Sequence, residues 1–270
     1  MTIAFIGAGN MASSLIKGLQ ASGVPCGDIV AADPMESQLA PLNTLGVKTT
    51  TENAIAVAAA DTVVLAVKPQ IAGKVLEQLP DLSPHQLVIS IVAGIDMSSL
   101  MDWLPAGQPI VRCMPNTPAL LGAGITGLFA NDAVNEIQRD QTQRVLNGVG
   151  SSVWVSEESL IDVVTAVSGS GPAYYFLLME SMIDRGIALG LDAATSRKLV
   201  VETARGAALM ACEPDTDPAE LRRNVTSPGG TTQAALKVML DHKMPDIVGS
   251  AVDAANDRAK GLAEEFGSKR

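Results

Sequence analysis

A glycine-rich segment near the start of the chain has the residue types and spacing of a phosphate-binding loop. It reads G-x-G-x-x-A from residue 7 to residue 12, between a predicted strand and a predicted helix. The first glycine permits a tight turn, the second lets the backbone approach a pyrophosphate, and the small last residue lets helix pack on strand. The N–H groups at the helix start favour an anion. The pattern predicts a dinucleotide site formed by Ile6, Gly7, Ala8, Gly9, Asn10 and Met11.

An acidic residue, Asp33, follows the second predicted strand. An acid at this place in a dinucleotide-binding unit hydrogen-bonds the ribose 2′-hydroxyl of NAD. The segment 33–37 has no Arg or Lys to meet the 2′-phosphate of NADP, so the residues favour NADH. Asp33 could equally cap the next helix, because Pro34 suits the first helical position. The sequence leaves both roles open.

A lysine stands at the end of another predicted strand, in the segment Ala66, Val67, Lys68 and Pro69. Parallel sheets bind ligands at the carboxyl ends of their strands. The Lys68 ammonium could therefore contact cofactor or substrate. Alternatively, it is a solvated lysine and only the backbone of the segment matters.

Three further segments, 114–118, 168–172 and 226–232, combine small hydroxyl residues with glycine and proline. The last two precede predicted helices, where hydroxyl and N–H donors can converge on a small carboxylate. Ordinary N-capping explains one such segment but not a doubled Ser-Gly or a Gly-Gly-Thr-Thr run. No Ser/His/Asp or Cys/His arrangement or carboxylate pair lies near them. Hydride transfer tolerates this, since the cofactor carries the chemistry.

These segments must be positioned by two kinds of structure. Predicted strands alternate with helices in the first part of the chain, which indicates a parallel sheet, and only helices are predicted after about residue 159. We expect an α/β fold, with a Rossmann-type domain at 1–157 and an all-helical domain at 158–270. A break is expected at Pro41 in the second helix. The predicted strands are 3–6, 29–32, 62–67, 87–92, 110–113, 125–130 and 152–155. The predicted helices are 11–21, 36–45, 71–79, 97–104, 134–146, 173–189, 194–211, 231–240 and 246–265.

Composition excludes several classes of protein. The 270 residues carry a net charge of −10 and no basic stripe, which argues against nucleic-acid binding and against an anionic membrane surface. Three dispersed cysteines and two histidines predict neither a disulfide framework nor a metal site, and they favour a reducing compartment. No signal peptide or membrane-spanning run is predicted. We expect a soluble, cytoplasmic protein.

Five motifs together resemble the pyrroline-5-carboxylate reductases of the bacterial proline pathway. Their order and spacing match from the first strand to the last helix. The SGSGPAY and SPGGTT pieces are the most specific. The motifs are GAGNMA at 7–12, AVKPQ at 66–70, RCMPNTPAL at 112–120, AVSGSGPAY at 166–174 and ELRRNVTSPGGTTQAAL at 220–236.

The resemblance implies reduction of 1-pyrroline-5-carboxylate to L-proline by NAD(P)H. It implies a homodimer with interleaved helical domains, active sites shared between protomers, and in some members a larger ring of dimers. Thr232 would hydrogen-bond the imine nitrogen and relay a proton. Asn53 would lie near the adenosine phosphate, and 66–69 would line the cofactor by backbone. Ser227, Gly229, Gly230 and Thr231 would hold the substrate carboxylate, with Asn116 and Ser168 in the pocket wall.

One departure concerns the cofactor. Members that prefer NADPH carry Ser, Thr, Arg or Lys after the second strand, whereas this chain has Asp33 and Glu36 there. An acid beside a 2′-phosphate weakens binding through like-charge repulsion. The choice between NADPH and NADH stays open on the family pattern.

Two other functions fit the same fold. A β-hydroxyacid-type dehydrogenase would need a catalytic lysine on a helix of the second domain, and Lys198 and Lys237 are the candidates. Neither lies in a glycine-rich context. A binding protein that senses the nucleotide is the other alternative. It would have no need for the SPGGTT segment, and binding of NADH without turnover would support it.

Overall fold

The computed structural model describes residues 1–58 and 60–267, which form two compact units. The first comprises Met1–Ser170 together with the chain from Ala254 onward, and the second comprises Gly171–Asp253. The predicted domain boundary at 157/158 is earlier and gives the carboxyl-terminal residues to the second domain. The predicted boundary separates a dinucleotide-binding domain from a substrate and dimerisation domain, and this division of roles stays a prediction.

An eight-stranded sheet forms the centre of the first unit. Its strand order is β3-β2-β1-β4-β5-β6-β7-β8. The order reverses between β1 and β4, and such a switch point is where open α/β sheets bind their ligands. The strands are β1 (Ile3–Ile6), β2 (Ile29–Ala32), β3 (Lys48–Thr50), β4 (Thr62–Leu65), β5 (Leu87–Ser90), β6 (Ile110–Met114), β7 (Gly124–Ala130) and β8 (Gly150–Trp154).

Neighbouring strands in this sheet are parallel except for β6 and β7, which are antiparallel. The short connection from Met114 to Gly124 contains a 3₁₀ helix, Thr117–Leu121. A parallel partner requires a crossover of a dozen or more residues, and this connection is too short for one. The chain therefore returns along β6.

Helices of the first unit accompany the sheet and bury two separate apolar clusters on its faces. Phe5 belongs to one cluster and Ile6 to the other, as the alternation of side chains along a strand requires. Leu15 of α1 packs in the first cluster and Leu76 of α4 in the second. The helices are α1 (Asn10–Ala21), α2 (Glu36–Thr44), α3 (Asn53–Val57), α4 (Pro69–Glu77), α5 (Met97–Trp103), α6 (Glu136–Asn147) and α7 (Leu160–Val164).

The break expected at Pro41 is wrong. Helix α2 continues through Pro41 to Thr44. Leu39 and Leu42 are buried in the core on either side of the proline, so packing holds the helix together although Pro41 donates no hydrogen bond. The α/β fold and every predicted strand and helix are otherwise present within a few residues of the predicted bounds. The prediction missed β3, α3, α7 and a helix of the second unit at Pro218–Asn224, which are short.

The second unit is helical throughout. It contains α8 (Gly171–Ala188), α9 (Ala193–Ala211), α10 (Pro218–Asn224), α11 (Thr231–Asp241) and the start of α12 (Met244–Phe266). Helices α8 and α9 approach closely, since a Cβ on Gly186 would lie next to the Ser196 hydroxyl. That hydroxyl donates a hydrogen bond to the Ile183 carbonyl at 2.8 Å.

This unit has almost no core of its own. Among residues 171–253, all of which the structure describes, only Gly171 and Ser196 are buried. Large apolar side chains are exposed along α8, including Tyr175, Phe176 and Leu177. Helices gain most of their stability by packing an apolar face, so these helices need a partner surface. Within the described residues, no helix combines the length and apolar character needed to cross a membrane.

Candidate active site

Gly7 lies at the sharp turn that follows β1. Its φ of +96° is a conformation that favours glycine, and a Cβ there would lie 2.6 Å from the Ala66 carbonyl oxygen. The Gly7 N–H donates to the Ala32 carbonyl at 2.8 Å. The turn is therefore held between the ends of β2 and β4, at the switch point of the sheet.

Gly9 caps the start of α1 and provides the space that a bound phosphate requires. No side chain caps this helix, and a Cβ on Gly9 would have no described heavy atom within 4 Å. The N–H groups of Gly9, Asn10 and Met11 come before the Ser13 N–H, which donates to the Gly9 carbonyl at 2.9 Å, and they carry the positive end of the helix dipole. Ala12 is buried, so the helix packs closely on the sheet. These residues fit the pyrophosphate of a dinucleotide.

Asp33 lies beside this loop with its side chain only 8% exposed. Its Oδ2 accepts a hydrogen bond from the Ala8 N–H at 2.9 Å, and its Oδ1 accepts one from the Met35 N–H at 2.9 Å. The alternative role of Asp33 as a helix cap is wrong, because Met35 is the N-cap of α2 and the helix begins at Glu36. The carboxylate instead joins the end of β2 to the glycine loop.

The remaining predicted cofactor residues also lie at the carboxyl edge of the sheet. Asn53 is half-buried in the first turn of α3, which follows β3. Lys68 is the exposed N-cap of α4, and Pro69 is the first residue of that helix. Ile6 is fully buried, and its carbonyl accepts the Ala66 N–H at 2.8 Å, so only its backbone faces the loop region. In the first unit, the glycine loop thus contacts Asp33 through the Ala8 N–H and lies against the Ala66 backbone at Gly7, and 67–69 follow directly in the chain.

Asn116 and Ser168 are brought together in the same unit. The Asn116 Nδ2 donates to the Ser168 carbonyl at 3.1 Å, and its Oδ1 accepts from the Ile125 N–H at 3.0 Å. Ser168 lies in a π turn, Thr165–Gly169, and its hydroxyl donates to the Val164 carbonyl at 3.0 Å. Asn116 therefore fixes the backbone of the turn that leads into α8.

The SPGGTT segment forms the start of α11 in the second unit. Gly229 has a φ of +71°, Gly230 is the N-cap, and Thr231 and Thr232 are the first two helical residues. The Gly230 N–H donates to the Ser227 carbonyl at 3.0 Å. Thr232 is half-buried. Hydroxyl and amide donors therefore gather at a helix N-terminus, the arrangement that binds a carboxylate. Gly229 and Gly230 also line a cavity of about 490 Å³ in this unit.

Comparison with known proteins covers nearly the whole chain. Residues 158–262 match the family model of pyrroline-5-carboxylate reductase dimerisation, and residues 2–94 match NADP oxidoreductase, coenzyme F420-dependent. A pyrroline-5-carboxylate reductase of Pseudomonas aeruginosa is 51% identical over 267 residues, 98% of each chain. The chain belongs to the pyrroline-5-carboxylate reductase family.

Other relatives agree with this assignment. A pyrroline-5-carboxylate reductase of Vibrio alginolyticus is 45% identical over 98% of each chain. The structure of one from Coxiella burnetii superimposes with a TM-score of 0.91 at 39% identity, covering 97% of this chain and 98% of its own. A pyrroline carboxylate reductase of Plasmodium falciparum, solved with NADP bound, has a TM-score of 0.86 at 30% identity and covers 97% and 98% of the two chains.

Membership of the pyrroline-5-carboxylate reductase family explains the exposed helices. The matched dimerisation region contains α8, α9, α10 and α11, where the large apolar side chains lack a core within one chain. Association with further protein surface buries such side chains and stabilises the helices. The prediction of an oligomer is therefore confirmed.

No role for Arg112 was predicted from the sequence. It is 4% exposed on β6, where its Nη1 donates to Glu158 Oε1 at 2.8 Å and its Nη2 to Asp162 Oδ1 at 3.3 Å. Glu158 Oε1 also accepts the Met97 N–H at 2.5 Å. An arginine within an otherwise apolar strand was the available signal, because a buried guanidinium needs carboxylate partners.

Asp96 adds a further carboxylate near this cluster, as the N-cap of α5. Burial is the largest single influence and by itself raises the pKa of Asp96. Hydrogen bonds from Ser99 and Ser98, with the charge of Arg112, together outweigh burial and hold the pKa below its ordinary value of 3.8. Asp96 is therefore ionised at neutral pH and holds the first turn of α5.

Proposed function

We propose that this chain reduces 1-pyrroline-5-carboxylate to L-proline with NAD(P)H, the last step of proline biosynthesis. The observation that carries the proposal is similarity over 98% of the chain to pyrroline-5-carboxylate reductases. Two local features support it: the open glycine loop at the switch point of the sheet, and the donor-rich start of α11.

The cofactor site is assigned to the first unit. When bound, the nicotinamide cofactor supplies a hydride. The amides of Gly9, Asn10 and Met11 hold the pyrophosphate, and Asn53 lies near the adenosine phosphate. The backbone of 66–69 lines the cofactor. These residues orient the hydride donor and leave little proton chemistry to the protein in this region.

The substrate site is assigned to the start of α11. Ser227, Gly229, Gly230 and Thr231 surround the substrate carboxylate, with hydroxyl donors from Ser227 and Thr231. The N–H groups of Gly229 and Gly230 already donate to Gln233 Oε1 and to the Ser227 carbonyl, so the two glycines contribute the shape of the turn. The Thr232 hydroxyl hydrogen-bonds the imine nitrogen, positions the C=N bond and relays a proton to nitrogen. Hydride addition to the imine carbon and protonation of the nitrogen together give the secondary amine of proline.

Asn116 and Ser168 are assigned to the wall of the substrate pocket. The hydrogen bond from Asn116 Nδ2 to the Ser168 carbonyl supports this assignment, because it fixes the π turn. The Ser168 hydroxyl already donates to the Val164 carbonyl. Ser168 therefore shapes the pocket wall and does not offer its hydroxyl hydrogen to the substrate.

NADH is the proposed preferred cofactor. Asp33 is held by two backbone amides at the end of β2, so its negative charge has a fixed position. The segment 33–37 offers no Arg or Lys to a 2′-phosphate. A fixed carboxylate repels that phosphate and accepts a hydrogen bond from a ribose hydroxyl.

The organisation of the chain follows from the same assignment. We propose residues 1–157 as the dinucleotide-binding domain and 158–270 as the substrate and dimerisation domain. The minimal assembly is a homodimer, with a larger ring of dimers as the complete form, and sedimentation equilibrium measures its size. A cytoplasmic location is supported by three free thiols, Cys26, Cys113 and Cys212, which suit a reducing compartment.

The test is oxidation of reduced nicotinamide by the purified protein upon addition of 1-pyrroline-5-carboxylate, with NADH and NADPH run in parallel. We expect turnover with formation of proline, and a higher kcat/KM with NADH. A folded protein that binds NADH but shows no turnover would refute the reductase and favour a binding protein. A higher kcat/KM with NADPH would refute the proposed preference alone.

A further inference from the structure

We propose that Asp33 is a positioning residue, which holds the glycine loop in the shape that binds pyrophosphate. This role is separate from any contact between Asp33 and the adenosine ribose. The inference rests on the proposed cofactor site, since that site gives the shape of the loop its purpose.

The contacts of Asp33 define this role. Its two carboxylate oxygens each accept a backbone N–H at 2.9 Å, one from Ala8 in the loop and one from Met35 after β2. The side chain is 8% exposed, so water offers little replacement for either bond. Two backbone N–H groups directed at one side chain require two acceptor oxygens. A carboxylate group provides both oxygens and carries no N–H or O–H that would face the backbone donors.

The same contacts determine which amides remain for a phosphate. The end of β2 holds two successive loop residues, Gly7 through the Ala32 carbonyl at 2.8 Å and Ala8 through Asp33. The Ala8 N–H is thereby committed to the protein. The donors left for pyrophosphate begin at Gly9, where no side-chain cap fixes the backbone. From the other side, the Ser13 hydroxyl and N–H donate to the Ala8 and Gly9 carbonyls at 3.3 and 2.9 Å. The direction of these donors therefore depends on the Asp33 bond before them as well as on Ser13 after them.

Asp33→Asn is the variant that separates the two roles. Asparagine has one acceptor oxygen and an NH₂ group, so one backbone N–H would face a donor. Asp61→Asn is the matched control, because Asp61 Oδ2 likewise accepts a backbone N–H, from Thr2 at 2.7 Å. Asp61 precedes β4 and so lies at the opposite edge of the sheet. Asp33→Ser, which also lacks paired acceptors, serves if Asp33→Asn does not fold.

The first measurement is amide hydrogen exchange without cofactor, in the assembled protein. A positioning role predicts exchange at least about tenfold faster in the peptide containing residues 7–12 of Asp33→Asn, with unchanged exchange in Asp61→Asn. Unchanged exchange in both folded Asp33 variants would overturn the proposal. This readout does not depend on substrate, so it remains decisive if the proposed reaction is wrong.

The second measurement compares NADH with its analogue lacking the adenosine ribose 2′-hydroxyl. A positioning role predicts that Asp33→Asn lowers kcat/KM for both cofactors by about tenfold or more, because both present the same pyrophosphate. If Asp33 acts only on the ribose, the substitution leaves kcat/KM for the analogue unchanged, and the proposal fails. Failure of the wild-type protein to oxidise either NADH or NADPH would refute the proposed function instead.

Discussion

Asp33 and Thr232 are held by their surroundings in different ways. Asp33 is buried and accepts two backbone N–H groups, so its carboxylate has a fixed position. Thr232 is half-buried in the first turn of α11, where its hydroxyl can turn toward a ligand. A fixed charge suits discrimination between cofactors, whereas a rotatable hydroxyl suits proton relay. The next two predictions test these assignments.

Thr232→Ala should lower kcat about tenfold to a hundredfold and change the KM for NADH much less. The proposed hydroxyl contact is made to the reacting nitrogen, so its loss weakens the transition state more than cofactor binding. Steady-state kinetics with varied NADH measures both constants. Thr232→Ser keeps the hydroxyl and should retain most of the activity. Unchanged kcat in Thr232→Ala would remove Thr232 from the catalytic role.

Asp33→Ser should raise the ratio of kcat/KM for NADPH to that for NADH by roughly tenfold, equivalent to about 1.4 kcal/mol. The reason is removal of a carboxylate that repels the 2′-phosphate. Parallel assays with the two cofactors give the ratio, in which any general loss from a disturbed glycine loop cancels. A ratio equal to that of the wild-type protein would contradict a role in discrimination.

At the scale of elements, β6 and its extension contact the chain from Glu158 to Gly169, which contains α7. Arg112, Met114 and Asn116 alternate along the chain and so share one side of it. Arg112 pairs with two carboxylates of the α7 region, a Cβ on Gly169 would lie 2.7 Å from the Met114 methyl, and Asn116 bonds the Ser168 carbonyl. These contacts fix the path of the chain before α8.

Arg112→Met should lower the apparent free energy of unfolding by about 3–5 kcal/mol, because it leaves Glu158 and Asp162 without their buried partner. Thermal or denaturant unfolding measures the loss. Arg258→Met is the control, since the Arg258–Glu265 pair is exposed and such pairs contribute about 0–1 kcal/mol. Equal losses in the two variants would show that the buried cluster does not anchor α7.

Asp96→Ala should cost about 1 kcal/mol of stability at pH 7, the usual contribution of an N-cap. The folded-state pKa of Asp96 lies below its ordinary value of 3.8, so the carboxylate stabilises the fold above that pH. The stabilisation is lost as pH falls through the lowered pKa. The melting temperatures of the two proteins, measured at successive pH values from 7 downward, should therefore draw together as the pH falls below 3.8. A constant difference would contradict this linkage.

At the scale of the whole molecule, the two units differ in where their apolar residues lie. The first unit buries two clusters against its sheet, whereas the second exposes large apolar side chains on nearly every helix. A match to the dimerisation region of the reductase family accounts for that difference. The stability of the second unit is then inseparable from association.

Phe176→Asp should weaken association by roughly tenfold or more, because an aromatic side chain that is 61% exposed in one chain is expected to be buried in the assembly. Analytical ultracentrifugation over a range of concentrations measures the shift, and activity should fall with it if the site needs a second protomer. Glu213→Gln, at an exposed loop position, is the control. An unchanged oligomeric state would place Phe176 outside the interface.

The amino-acid sequence determined the α/β class, the position of the glycine loop and the helical second part. Each depends on a local pattern: apolar runs for buried strands, glycines for a tight turn, and a repeat near 3.6 residues for helices. Short elements such as β3 and α3 have no such repeat and were missed. Pro41 was misjudged because burial of Leu39 and Leu42 outweighs its local preference.

Only the tertiary structure decided how distant residues share their bonds. Nothing in the sequence shows that Asp33 accepts the Ala8 N–H, or that Arg112 joins Glu158 and Asp162. The Asp33 bond forms because strand order brings the ends of β1 and β2 together, and the Arg112 bonds form because the chain around α7 lies against β6. The sequence determined which groups are present, and the packing of the sheet determined which of them meet.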